Sequence, residues 1–166
     1  MVHSNELEVE NTRIECAPTS NVYDSDRHSF LMAEDNLDDI LITKRAWKKS
    51  NIKNTLHIVN NGEEALDFLY MRGEYAGVPS VSLLLLDLNM PKINGFEVLE
   101  KLKNDAGLRR VPVIVLTTSN RDEDIDRAYD LGCNSYIVKP VNYDNFLEAV
   151  KEIQRYWTIL SEIPNR

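Results

Sequence analysis

Ser82-Leu83-Leu84-Leu85-Leu86-Asp87-Leu88-Asn89-Met90-Pro91 is the stretch whose reading decides the fold. Four consecutive leucines run into one carboxylate, and Pro91 and Asn94-Gly95 follow. A short run that is apolar at every position and closed by turn residues reads as a strand buried on both faces. Asp87 then stands where the strand leaves the core. In open α/β sheets that carboxyl edge is where ligands bind.

Working outward, the same kind of strand recurs. His28-Ser29-Phe30-Leu31-Met32-Ala33 is a first strand, ending in Glu34-Asp35-Asn36. From Asp38 the period becomes helical, with Ile40, Leu41, Ala46 and Trp47 apolar. Lys48 and Lys49 lie where the helix dipole favours cations, and Ser50-Asn51 closes the helix. Asp38 or Asp39 is expected to cap its N-terminus. Leu56-His57-Ile58-Val59 is a second strand and Glu63 to Tyr70 a second helix, followed by a longer polar connection over 72–79.

After the Asp87 strand, Phe96 to Lys103 forms a third helix. Pro112-Val113-Ile114-Val115-Leu116-Thr117 is a fourth strand, with proline at its start where no ladder donor is needed. Asp122 to Leu131 is a helix stopped by Gly132. Ser135-Tyr136-Ile137-Val138-Lys139-Pro140 is a fifth strand, and Tyr143 to about Leu160 the last helix. Strands alternating five times with helices imply a parallel α/β sheet covered on both faces.

Composition narrows the function. The chain has 166 residues, 43% hydrophobic and 28% charged, an ordinary globular mix. Its net charge of -8 argues against a nucleic-acid surface, which needs a Lys/Arg footprint. No apolar run approaches the ~20 residues of a membrane span. The N-terminus lacks the pattern of a secretory signal. Cys16 and Cys133, far apart, make neither a disulfide framework nor a cysteine zinc site, so a reducing, cytoplasmic location is expected. Residues 1–27, polar and acidic, read as a flexible arm, 28–160 as the folded domain, and 161–166 as a tail.

The residues at the carboxyl ends of the strands form a pattern: Glu34-Asp35, Asp87, Thr117 and Lys139-Pro140. If the sheet is doubly wound, the first and third strands are neighbours at its switch point, and three carboxylates converge with one hydroxyl and one ammonium. Each has an ordinary explanation alone, as a cap, a turn or a strand threonine; together, at one sheet edge, they do not. Three close carboxylates repel unless cations join them, and Lys139 is one charge. Few carboxylates with retained waters suit Mg²⁺ better than Ca²⁺. Asp87 can then serve as a nucleophile that forms an acyl phosphate, with Lys139 and Thr117 binding the phosphoryl oxygens.

These residues resemble the receiver domain of two-component response regulators. The motifs are Glu34-Asp35, Asp87-x-x-Met90-Pro91-x-x-x-Gly95, Thr117, and Tyr136-Ile137-Val138-Lys139-Pro140. The resemblance covers about residues 28–160 and implies a flavodoxin-like (βα)5 fold with strand order 2-1-3-4-5. It implies Asp87 as phosphoacceptor, Asp35 as a direct Mg²⁺ ligand, Glu34 acting largely through water, and Asn89 giving its backbone carbonyl to the metal. Thr117 and Lys139 would contact the phosphoryl group, Tyr136 would turn inward as Thr117 shifts, and a cis peptide bond would precede Pro140. Glu34 stands where many receivers have Asp, a swap that keeps the charge.

Within the family the chain is most similar to the small receivers that partner bacterial phytochromes. The stretches that carry this are Asp39-Ile40, Ala65-Leu66-Asp67-Phe68-Leu69-Tyr70, Arg72-Gly73-Glu74-Tyr75, Leu116-Thr117-Thr118-Ser119, and the long last helix with Tyr156-Trp157. The implied partner is a sensor histidine kinase of that kind. No output domain is recognised after residue 160, so the signal is expected to leave by protein contact or onward phosphotransfer. Tyr156, Ile159 and Ile163 extend a second apolar stripe beyond Phe146, Val150, Ile153 and Trp157, read as a homodimer surface against simple packing on its own domain.

The same residues bear on other functions. A haloacid dehalogenase type phosphatase has a general-acid Asp where this chain has Asn89, which moves no proton. A flavin site needs a phosphate loop where Glu34-Asp35 would repel phosphate. The stronger alternative is a receiver-like binding module that acts without phosphorylation; such a module would usually lack one of the pocket residues, all of which are here.

Overall fold

A leucine run buried on both faces needs a helical layer above and below it, and the structure supplies both. The computed structural model describes residues 29–49 and 54–161. The expected arm over 1–27, the close of the first helix at Ser50-Asn51, and the tail beyond Ser161 with Ile163 lie outside the described residues.

Five strands, β1 (Ser29–Ala33), β2 (Thr55–Val59), β3 (Val81–Leu86), β4 (Val113–Thr117) and β5 (Ser135–Val138), pair in the order β2-β1-β3-β4-β5. All pairings are parallel. Five helices, α1 (Leu37–Lys49), α2 (Gly62–Leu69), α3 (Gly95–Asn104), α4 (Asp122–Asp130) and α5 (Tyr143–Arg155), follow the strands one by one. This is the (βα)5 doubly wound, flavodoxin-like arrangement, with the sequence order reversing between β1 and β3.

The leucines of β3 divide by parity, as the strand period of two requires. Leu84 and Leu86 join Leu31, Leu66, Phe68, Val98, Leu99 and Leu102 on the face covered by α2 and α3. Leu83 and Leu85 join Phe30, Met32, Trp47, Phe146, Val150 and Ile153 on the face covered by α1 and α5. None of the four is more than 1% exposed, and truncating one to Ala typically costs about 2–5 kcal/mol. The middle strand is therefore clamped from both sides just before Asp87.

Local details depart from the sequence reading in four places. The cap of α1 is Asn36, whose side-chain oxygen accepts from the amides of Asp38 (2.9 Å) and Asp39 (3.1 Å), so neither aspartate caps the helix. Lys139-Pro140 lies beyond the last paired residue of β5, Val138. The connection over 72–79 contains one turn of 3-10 helix, Gly73–Tyr75. The last helix continues from Arg155 into one wider π turn, Tyr156–Leu160.

Candidate functional site

The carboxyl edge of the sheet gathers the residues the sequence singles out. Glu34 and Asp35 follow β1, Asp87 follows β3, Thr117 ends β4, and Lys139 follows β5. Backbone bonds fix these ends relative to one another. The amide of Asp87 donates to the Ala33 carbonyl (3.0 Å), that of Glu34 to Val59 (3.0 Å), and that of Lys139 to Thr117 (2.7 Å).

The turn after Asp87 is held as tightly. A Cβ at Gly95 would lie 2.2 Å from the Asp87 carbonyl oxygen and 2.7 Å from Leu88 Cα, so only glycine lets α3 start this close. Asn94 caps that helix in a reciprocal capping box with Glu97. Asn89 lies in this turn, exposed.

Glu34, Asp35 and Asp87 present carboxylate oxygens within 4.8 Å of one another. Glu34 and Asp87 are buried, while Asp35 is exposed at the rim. The Lys139 ammonium sits among them. It donates to Glu34 Oε2 (2.5 Å) and to Asp39 Oδ2 (2.8 Å), and lies 3.6 Å from Asp87 Oδ2. The other oxygen, Asp87 Oδ1, is buried without a hydrogen-bond partner. A buried carboxylate oxygen left bare is costly, so the geometry fits a ligand that approaches it.

Burial pushes the Glu34 carboxyl up to about 7, although the Lys139 hydrogen bond pulls the other way. Burial likewise disfavours the Lys139 charge, but its hydrogen bonds to Asp39 and Glu34 and the nearby Asp87 outweigh it and hold the ammonium above its ordinary range. The cluster sets four carboxyl groups, Glu34, Asp35, Asp39 and Asp87, against one ammonium. Its oxygens form a hard donor set that fits a small divalent cation.

Across the edge, the fully buried Thr117 opens a different network. The Tyr136 hydroxyl donates to the Ser119 carbonyl (3.0 Å), and the Ser119 hydroxyl donates to Asp124 Oδ2 (2.5 Å). Arg121 holds the same carboxylate through Nε (3.1 Å) and Nη2 (2.9 Å). The Ser119 hydroxyl and the Arg121 guanidinium hold Asp124 below the usual carboxylate range. Tyr136 is half-buried, its ring packed against the core on the α2 and α3 side.

Two expectations are corrected or enlarged. No peptide bond among the described residues is cis, so the bond before Pro140 is trans, the ordinary X-Pro state. Asp39 is the residue that sequence reasoning placed wrongly. It lies one helical turn before Thr43 on the stripe that buries Ile40, Thr43, Ala46 and Trp47, and that spacing was the available signal that it faces inward. The Ser119-Arg121-Asp124 network was not foreseen, because short polar loops carry no period to read.

Comparison with known proteins accords with this geometry. The family model of the response regulator receiver domain matches residues 30–151. The response regulator Rcp1 of Synechocystis is 37% identical over 134 residues, covering 81% of this chain and 91% of that protein. The crystal structure of the phosphorylated cyanobacterial phytochrome response regulator RcpA superposes with a TM-score of 0.81 at 38% identity, over 84% of this chain and 99% of that one. The Mn²⁺-bound form of Rcp1 gives a TM-score of 0.80 at 36% identity, over 83% and 99%.

Proposed function

The chain belongs to the response regulator receiver family, and from that premise we propose that Asp87 is the carboxylate on which it accepts a phosphoryl group. The observation that carries this is the bare Oδ1 of Asp87, buried at the end of a clamped strand with an ammonium 3.6 Å from its other oxygen. An Asp87 oxygen attacks the phosphorus in line. The P–N bond of a donor phosphohistidine breaks, its electron pair stays on the imidazole nitrogen, and an acyl phosphate forms. Lys139 pairs with the phosphoryl oxygens, the Thr117 hydroxyl donates to one of them, and Tyr136 follows Thr117 inward.

Asp35, Glu34, Asp87 and the Asn89 backbone carbonyl are the groups proposed to hold Mg²⁺. When bound, the cation supplies the positive charge that lets a carboxylate approach an anionic phosphoryl group. The support is the three-carboxylate cluster of this chain and the Mn²⁺-bound form of its relative Rcp1.

The donor we propose is a sensor histidine kinase of the phytochrome type, supported by similarity to RcpA and Rcp1. Residues 28–160 are taken as the receiver unit. Its catalysis is confined to its own phosphorylation and slow dephosphorylation, since Asn89 supplies no general acid. The exposed Tyr156, Ile159 and Leu160 on the π turn support a homodimer through the last helix; a monomeric mass by light scattering counts against it. The net charge of -8 speaks against nucleic acid as a partner. Among the described residues no helix is long and apolar enough to cross a membrane. Cys133 is a buried free thiol, in keeping with the reducing cytoplasm.

Intact mass after acetyl phosphate treatment with Mg²⁺ tests the central claim. The wild type gains one phosphoryl group and Asp87→Asn none. A wild type without adduct favours the receiver-like module that works unphosphorylated, and an equal adduct on Asp87→Asn places the acceptor elsewhere.

A further inference from the structure

We infer that Asp39 is a positioning residue for this site: it anchors the Lys139 ammonium beside the acid pocket and keeps it off Asp87. The inference rests on the reading of Asp87 as phosphoacceptor. Lysine offers three N–H donors. One goes to Glu34 Oε2 and one to Asp39 Oδ2 at 2.8 Å, which leaves Asp87 Oδ2 at 3.6 Å, beyond an ordinary hydrogen bond.

The groups around Lys139 make this division of donors consequential. Its side chain is only 4% exposed, and those of Glu34, Asp39 and Asp87 are 1%, 19% and 8% exposed. A buried ammonium has no water to turn to, so a donor released by one carboxylate goes to another. Without Asp39 a further N–H donor is released toward Asp87 as acceptor, and the ammonium closes on the oxygens that the incoming cation and phosphoryl group need. Asp39 is itself held, since its backbone carbonyl accepts from the Thr43 hydroxyl (2.8 Å) and its amide donates to the Asn36 cap (3.1 Å). Its direction is therefore set by the first turn of α1, on the face opposite to exposed neighbours such as Leu37 and Leu41.

Asp38 provides the control. It is exposed, one residue away, with the same charge, and its amide rather than its carboxylate takes part in the cap. Removing either aspartate removes one negative charge from the neighbourhood, but only Asp39 touches Lys139.

The experiment measures Mg²⁺ affinity by calorimetry and, separately, the rate of adduct formation with acetyl phosphate at saturating Mg²⁺. It uses wild type, Asp39→Ala, Asp39→Asn and Asp38→Ala of the full chain. Asp39→Ala is expected to weaken Mg²⁺ roughly ten- to a hundredfold, the range for losing a group that orients a metal's ligands, and to slow adduct formation. Asp39→Asn, which keeps an acceptor of the same size, recovers part of both. Asp38→Ala stays within about twofold of wild type, as expected for an exposed charge. Equal Mg²⁺ affinity and rate in Asp39→Ala and Asp38→Ala, with the wild type forming its adduct, overturn the inference and leave the phosphoacceptor reading intact. Weakened Mg²⁺ binding in Asp39→Ala with no adduct on the wild type supports the anchor and overturns the reading of Asp87.

Discussion

The two walls of the pocket are built on opposite principles. The wall formed by β1, β3 and Lys139 is buried and charged: Glu34, Asp39 and Asp87 surround one ammonium that water barely reaches. The wall formed by β4, α4 and Tyr136 is held by hydrogen bonds that end at the surface, where the Arg121 side chain is 71% exposed. A buried charge cluster resists change, because breaking it strands a charge in a poor solvent. A surface network rearranges at small cost, because water replaces each partner. On the proposed reading, the first wall suits holding Asp87 still, and the second suits moving when Asp87 is phosphorylated.

The contrast is broken most severely at Lys139. Lys139→Met leaves three carboxylates facing one another without a cation, and the metal-free protein should lose about 3–5 kcal/mol, the cost of stranding a buried charge. Urea unfolding with and without Mg²⁺ measures it, and added Mg²⁺ should return much of the loss. An unchanged midpoint without metal means the cluster carries far less charge than its burial implies.

Next comes pH. The Glu34 carboxyl is raised from 4.5 to about 7, so the folded state binds a proton more tightly than the unfolded chain. Stability from this group is fully present below about 4.5 and is lost as pH rises through about 7, by about 3 kcal/mol at most. Lys139, raised above 10.5, loses its contribution only above that range and does not offset the trend. Glu34→Gln should flatten the metal-free unfolding profile between these limits, and Mg²⁺ should bind the wild type more tightly as pH rises across them. A wild-type profile as flat as that of the variant removes the burial argument.

The hydrogen-bonded wall should respond more gently. Tyr136→Phe removes one donor to the Ser119 carbonyl and should cost about 1 kcal/mol in urea unfolding, with adduct formation on Asp87 retained. Arg121→Ala should leave the unfolding midpoint in place and speed amide exchange at Ser119 and Asn120. A loss as large as that of Lys139→Met at either position erases the distinction between the walls.

The sequence carried most of the fold because its signals were local. Leu83 to Leu86, Val113 to Leu116 and Phe30 to Ala33 are short apolar runs closed by polar residues, and each is a strand within a residue or two of the expected limits. Ends were less legible, because Asn36, Asp38 and Asp39 are all good caps and only the backbone path chooses among them. Contacts across the sheet edge were the least legible. Nothing in the spacing of Asp39 and Lys139, 100 residues apart, says they touch at 2.8 Å; that follows from β1 and β5 both ending at one edge. The resemblance supplied the strand order, which local patterns do not fix, and it also implied a cis bond before Pro140 that the structure does not have.

Gly95 gives the two walls a mechanical meaning. With α3 seated so close that a Cβ would lie 2.2 Å from the Asp87 carbonyl, the acceptor turn and its helix form one piece, anvil and base together. A blow delivered to Asp87 has no give beneath it. On the proposed reading, the change has to pass sideways, past Thr117 and the loop at Ser119, toward the aromatic edge of α4 and β5, where Tyr129 is half exposed and its hydroxyl accepts from the Tyr136 amide at 3.3 Å.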